Sequence, residues 1–208
     1  NYINTEPSLG ASLNMRYLTR SENAGELVKR NGVSRYLQRA GYQYVHVGSG
    51  WSITKKSKHA DVQVLFGDKL QLVLNEFSAA LVRKTIAAPL ADLVRLDLDS
   101  AFTENYALRF DYNMEELRRI PEIPAPTFTF YHVFQPHPPY IFDRDGNLPP
   151  DSTSRLTAGS PNENKMYIDQ LVFVNNNVRL LIEDLLDRSP EEPIIMILSD
   201  HGPYPSQP

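Results

Sequence analysis

The sequence predicts an α/β fold: a mostly parallel sheet covered by helices on both faces. Three observations carry that expectation. The run Ile194-Ile195-Met196-Ile197-Leu198 is unbroken and apolar between Pro193 and Gly202, the pattern of a strand buried on both faces. Around Gly41 a helical stretch gives way, across one glycine, to a strand-like segment, the rhythm of an α/β domain. Before the last apolar run, Tyr167, Leu171, Val174, Val178, Leu181 and Leu185 recur at spacings of four and three, which predicts one long amphipathic helix with its stripe on the sheet.

The remaining elements follow in order. Leu9, Leu13 and Tyr17 recur every four residues, so residues 1–20 are expected to hold a helix with one apolar face. Pro7 suits its first turn, and Thr5 then lies close to the N-cap. Residues 21–40 form a second helical region, interrupted near Asn31-Gly32. Residues 42–48 read as a strand in which His46 alternates with Val45 and Val47, a structural position. Residues 61–66 are a second short strand, and 77–96 are broadly helical, broken by Pro89. Residues 97–122 are polar and mixed, with a helix expected around 114–120. Residues 127–134 are the next strand, ending in Gln135-Pro136-His137-Pro138-Pro139-Tyr140. Phe142 to Asn147 begins like a calcium loop but lacks the acidic residue at its twelfth position, so it reads as a turn. Residues 148–159 are a Pro/Ser/Thr-rich loop, and Ser160-Pro161-Asn162-Glu163 is a capping box that starts the long helix. The run Asn175-Asn176-Asn177 lies partly on that helix's solvated face.

Composition narrows the function. A chain of 208 residues, 41% hydrophobic and 22% charged, is an ordinary globular domain or a large part of one. A net charge of -4 provides no basic footprint for nucleic acid. The absence of cysteine removes disulfides, thiolate metal sites and a cysteine nucleophile. Within these residues neither a signal peptide nor a membrane-crossing helix is expected, since no apolar run is long enough. The opening at Asn1 and the stop at Pro208 lead us to expect a piece of a longer protein.

Three places carry candidate chemistry. Asp200 and His201 follow the last apolar run, where open α/β sheets bind ligands. They either cap a turn or form half of a site for a divalent cation. Thr5 either caps its helix or faces an anion at the helix N-terminus. His137 sits in a loop stiffened by prolines, while His132 is a strand residue suited to the core. Together these could supply a hydroxyl nucleophile, an anion-binding imidazole and metal ligands, the parts of metal-assisted group transfer.

These motifs resemble a known family. Ser199-Asp200-His201-Gly202 is similar to the distal metal motif of the sulfatase branch of the alkaline phosphatase superfamily. Thr5-Glu6-Pro7-Ser8 resembles the sulfatase nucleophile motif, Cys/Ser-x-Pro-Ser-Arg, with threonine at the nucleophile. Asn1-Tyr-x-x-Thr5 with Ser8-Leu-x-Ala-Ser-Leu-Asn14 resembles bacterial membrane-anchored sulfatase-like proteins, and His132-x4-His137-Pro-Pro-Tyr140 resembles their mid-domain substrate motif. The resemblance spans nearly the whole chain.

It implies an alkaline-phosphatase-like sheet in a partial catalytic domain over 1–208. Thr5 would be nucleophile and metal ligand, and Asp200 and His201 would bind a divalent cation (Zn, Mn, Mg or Ca). His137 would be catalytic, meeting the transferred or leaving group, and His132 would line the same surface. The implied partners are a phosphate or sulfate ester, with a lipid or envelope glycan as substrate or acceptor, on the extracytoplasmic face of a bacterial membrane. Two departures matter. Threonine cannot become the formylglycine of true sulfatases, and Leu9 replaces the motif arginine. Both point toward relatives that carry phosphoethanolamine or phosphoglycerol groups on threonine. The resemblance also implies acidic metal ligands upstream of Asn1. The competing expectation is a non-catalytic relative that keeps the fold as a binding or scaffold domain, a reading that the loss of arginine at Leu9 motivates.

Overall fold

The computed structural model describes residues 2–67, 98–148 and 162–202. The expected helix at 77–96, most of the loop at 148–159, the Ser160-Pro161 start of the capping box and Asn1 lie outside the described residues. Helices α1 (Thr5–Ser12), α2 (Ala24–Lys29) and α3 (Gly32–Arg39) precede strands β1 (Gln43–Val47) and β2 (Val62–Val64). Helix α4 (Leu98–Arg118), a 3-10 turn (Ile120–Glu122), strand β3 (Thr127–Tyr131) and helix α5 (Glu163–Arg188) follow. The chain is mixed α/β with a small parallel sheet of order β2-β1-β3. It divides into two compact units, one of residues 1–65, 113–134 and 179–208, the other of 66–112 and 135–178.

In the first unit β1 is the central strand and is buried at every residue but Gln43. Side chains alternate along it, so Val45 and Val47 take one face and Tyr44 and His46 the other. The register pairs Tyr44 with Phe128 and His46 with Phe130. Their rings meet across the strands at 5.5 and 5.9 Å. Such cross-strand pairs are what hold a register in place. Beyond β1 the chain turns tightly. A Cβ on Gly48 would lie 2.5 Å from the Lys55 carbonyl oxygen, so only glycine fits there.

Helix α1 is shorter than the expected helix and buries a different face. It ends at Ser12, Met15 follows with φ of 54°, and Tyr17 is exposed. Its buried residues are Ser8, Gly10 and Ala11 rather than Leu9, Leu13 and Tyr17. Small residues win because α2 approaches closely: a Cβ on Gly10 would sit 3.3 Å from the Ala24 carbonyl. One amide then ties three helices. Asn14 Nδ2 donates to the carbonyls of Gly10 (2.7 Å) and Leu27 (3.1 Å), and its Oδ1 accepts the Gly32 N–H at 2.8 Å. Asn31, fully buried, caps α3 by accepting the Ser34 N–H at 2.8 Å. Gly41, as expected at C′, has φ of +92°.

Three other expectations need correction. Helix α4 starts at Leu98, well before the expected 114–120. Its buried residues Thr103, Ala107, Phe110, Met114 and Leu117 form a stripe spaced by four and three, which the intervening polar residues conceal in the sequence. On α5 the buried residues are Met166, Asp169, Gln170, Val174 and Leu181, so of the expected stripe only Val174 and Leu181 are buried, and Phe173, outside it, packs on Phe142 at 4.2 Å and on Phe110 at 5.3 Å. The third concerns residues 194–198, which are neither a strand nor buried; Ile194 is 92% and Leu198 76% exposed. A parallel strand exists only where neighbours take its backbone N–H and C=O groups. Among the described residues β3 pairs only with β1, and none pairs with 194–198.

His46 is the structural histidine expected from the sequence. Its Nε2–H donates to the Thr54 carbonyl at 2.9 Å, so its Nδ1 accepts the Tyr44 hydroxyl at 3.0 Å. Burial holds its pKa below the ordinary imidazole value.

Two measurements test this packing. Asn14→Ala should lower unfolding free energy by about 2–3 kcal/mol in urea, since it leaves partly buried groups on three helices without partners. For His46 the unfolded chain takes up a proton first. Its contribution is therefore complete above about pH 6.5 and is lost as pH falls toward the lower folded pKa. His46→Phe should remove about one proton's worth of slope from the stability–pH curve in that window.

Candidate active site

Thr5 is the first residue of α1, one position inside the expected cap. Asn4 is the N-cap, in extended conformation, and its carbonyl accepts the Ser8 N–H at 3.2 Å. This places the Thr5 hydroxyl at the helix N-terminus. The Thr5 Oγ1 lies 3.1 Å from His201 Nε2, and Asp200 Oδ2 lies 3.4 Å from the same nitrogen. Residues from the two ends of the chain therefore meet at one point in the first unit.

Local bonds orient the imidazole. His201 Nδ1 is 2.8 Å from the Gly202 carbonyl, which can only accept, so Nδ1 carries the proton. Ser199 Oγ donates to the His201 carbonyl at 2.6 Å and steadies the same turn. In the neutral ring Nε2 then holds a lone pair that accepts the Thr5 O–H. An Asp200 carboxylate oxygen faces that lone pair. A cation bound among them would offset the repulsion between the carboxylate and the Nε2 lone pair.

The donor set suits a divalent cation. Two oxygens and one imidazole nitrogen are ligands for zinc or a harder metal, and bonds of about 2.0–2.1 Å separate neighbouring donors by about 2.8–3.0 Å at octahedral and about 3.3–3.4 Å at tetrahedral angles. An Nδ1–H donated to a carbonyl is the usual support for a histidine that binds metal through Nε2. Among the described residues no group of three His, Cys, Asp or Glu side chains forms. Thr5, Asp200 and His201 thus fit one side of a coordination shell, which other donors would have to complete.

His132 also belongs to the first unit. It is the first residue after β3, its Nδ1 lies 3.0 Å from Thr54 Oγ1, and its ring meets that of Trp51 at 5.7 Å. It is half-buried at the carboxyl end of a parallel strand, not packed in the core.

His137 lies in the second unit, exposed on a loop held from beneath. The peptide bonds Gln135–Pro136 and Pro138–Pro139 are cis. His137 Nδ1 donates to the Pro138 carbonyl at 2.6 Å. The loop is fixed chiefly by Gln170, a fully buried amide on α5. Its Oε1 accepts the N–H groups of Ile141 (2.8 Å) and Phe142 (3.2 Å), and its Nε2 donates to the carbonyls of His137 (3.3 Å) and Pro139 (3.4 Å). The Tyr140 hydroxyl donates to Glu163 at 3.1 Å; burial, then the Glu163 carboxylate, push this phenol up to about 12. Next to it Asp143 Oδ1 accepts the N–H groups of Asp145 (2.9 Å) and Asn147 (2.8 Å), an Asx turn closed on itself.

Sequence reasoning missed Gln170, Thr54, Ser49 and Trp51. For Gln170 a signal was available: it sits midway between buried Met166 and Val174, four residues from each, so a polar group occupies the helix's inner stripe. The other three lie in a loop with no periodicity to expose them. No protein-family model, curated protein or solved structure matches the chain.

Replacing Gln170 by Leu or Met removes four hydrogen bonds from the loop backbone, although the Ile141 N–H keeps the Pro139 carbonyl at 3.1 Å. Either change should lower unfolding free energy by about 2 kcal/mol, read as a reduced denaturant midpoint, and should speed hydrogen exchange at the Phe142 amide more than at Ile141.

Proposed function

We propose that the chain is part of a metal-dependent enzyme of the sulfatase-like branch of the alkaline phosphatase superfamily. It would act on phosphate or sulfate esters through Thr5. The supporting observation is that the Thr5 hydroxyl and the Asp200 carboxylate both approach His201 Nε2, at 3.1 and 3.4 Å. In this reading the parent domain has an alkaline-phosphatase-like sheet with helices on both faces and faces the extracytoplasmic side of a bacterial membrane. No helix among the described residues is long and apolar enough to cross a membrane.

Thr5, Asp200 and His201 would hold the cation. Once bound, a divalent metal lowers the pKa of an adjacent hydroxyl and neutralises charge on the ester. The chain's own residues supply the rest. The helix N-terminus favours negative charge at the Thr5 oxygen. The Thr5 oxygen bonds to phosphorus or sulfur as the bond to the departing oxygen breaks, and the proton lost by Thr5 ends on the departing alcohol. Water or an acceptor hydroxyl then takes the group and restores Thr5. Threonine in place of cysteine or serine favours transfer of a phosphoethanolamine- or phosphoglycerol-type group, to a lipid or envelope glycan, over sulfate ester hydrolysis. On the resemblance alone His137, and more weakly His132, are assigned to the transferred or leaving group. Leu9, in place of the motif arginine, favours a second reading: a relative that keeps the fold as a binding domain without turnover.

With the full-length protein, added divalent metal and an aryl phosphodiester, Thr5→Ala should cut turnover by more than about a thousandfold, and chelation should do the same to the unsubstituted protein. Undiminished turnover in Thr5→Ala would remove the covalent mechanism. No metal-stimulated turnover in the unsubstituted protein would favour the binding domain.

A further inference from the structure

The candidate histidines are not held alike. His137 and His201 each point Nδ1 at a backbone carbonyl, at 2.6 and 2.8 Å, so each carries its proton on Nδ1. His132 is connected differently. Its Nδ1 faces the Thr54 hydroxyl at 3.0 Å, and Thr54 Oγ1 lies 2.6 Å from Ser49 Oγ. Ser49 Oγ in turn accepts the Trp51 N–H at 3.0 Å. A hydroxyl both donates and accepts, so the chain of bonds could run in either direction.

Distances decide the direction. If Ser49 donates to Thr54 and Thr54 donates to His132, every link is 3.0 Å or shorter. In the reverse direction the Ser49 proton is left with the Trp51 carbonyl, 3.4 Å away. Thr54 and Ser49 are both buried, so a poorly made bond is costly there. The Trp51 N–H, a fixed donor, starts the favourable direction, and His132 Nδ1 ends it as an acceptor. Thr54 is itself anchored, because its carbonyl accepts both His46 Nε2–H (2.9 Å) and the Ser49 N–H (3.1 Å).

We propose that Ser49 and Thr54 are positioning residues that hold His132 in the Nε2–H tautomer, as a hydrogen-bond donor opposite in polarity to His201. Ile53 of the same loop and Glu6, which follows Thr5, both lie near Gly25 of α2, where an added Cβ would be 3.8 Å from Ile53 Cδ1 and 3.9 Å from Glu6 Oε2. The consequence for catalysis rests on the ester reading above. There His132 donates from Nε2 to an oxygen of the anionic ester, while His201 presents its Nε2 lone pair to the cation beside Thr5.

The test has two arms. Long-range nitrogen–hydrogen NMR correlations on the 15N-labelled 208-residue chain, at a pH where the rings are neutral, should show His132 protonated at Nε2 and His201 at Nδ1. Thr54→Val keeps the shape and the anchoring carbonyl but removes the hydroxyl. It should shift the His132 Nδ1 resonance and mix the tautomers, and Thr54→Ser should restore them. Ser49→Ala, which leaves the Thr54–His132 contact in place, should produce a smaller shift and serves if Thr54→Val does not fold. His132 protonated at Nδ1 in the unsubstituted chain, or a His132 spectrum indifferent to both changes, overturns the proposal. The second arm measures aryl phosphodiester turnover by the full-length protein. Thr54→Val should lower kcat/KM about tenfold, with rescue by Thr54→Ser. Turnover indifferent to Thr54→Val overturns the catalytic consequence. Absence of turnover in every variant overturns the ester reading, while the spectra still decide the tautomer.

Discussion

Burial of β1 between two parallel neighbours is the constraint from which the first unit follows. A central strand covered on both faces cannot leave a polar side chain unsatisfied. Tyr44 and His46 both lie on it, and each has its partner inside. The His46 Nε2–H requires a carbonyl, and Thr54 supplies it. That bond holds the loop after Gly48 against the strand, and the loop brings Ser49, Trp51 and Thr54 to His132 at the end of β3. A core requirement thereby sets the geometry of a candidate functional residue.

Polarity distinguishes the histidines more than position does. A backbone carbonyl beside Nδ1 leaves an accepting Nε2, as at His201 and His137, whereas a donating hydroxyl beside Nδ1 leaves a donating Nε2, as inferred for His132. A lone pair can hold a cation or a proton, whereas an N–H group can meet negative charge. The Thr5, Asp200 and His201 cluster is of the first kind.

The second unit solves a similar problem with an amide. Its apolar packing comes from Phe110, Phe142 and Phe173, and one buried glutamine among them takes four backbone groups of the His137 loop. The prolines restrict φ in that loop, but restriction does not choose a single shape; the Gln170 bonds do. Asp169, next to it, is held between Arg144 and Lys165, which keep its carboxyl below the usual range.

Local chemistry was legible in the residues themselves. Gly41 ends a helix because only a residue tolerant of positive φ fits there, the alternation of 42–48 makes a strand, and the stripe of α5 makes a helix. The structural role of His46 could likewise be read from its neighbours. What the residues could not disclose was which partner each face would find. The face of α1 was misread because the close approach of α2 rewards Gly10 and Ala11 over Leu9 and Tyr17. The apolar composition of 194–198 signals burial, whereas a strand also needs a neighbour's backbone, and none of the described residues supplies one. The sequence by itself thus determined elements such as α5, β1 and the Gly41 helix end, and which candidate groups are present. Only the tertiary structure decided that Thr5 and His201 lie 3.1 Å apart and how each imidazole is turned, because distances across 196 residues and ring polarity depend on partners that no local pattern specifies.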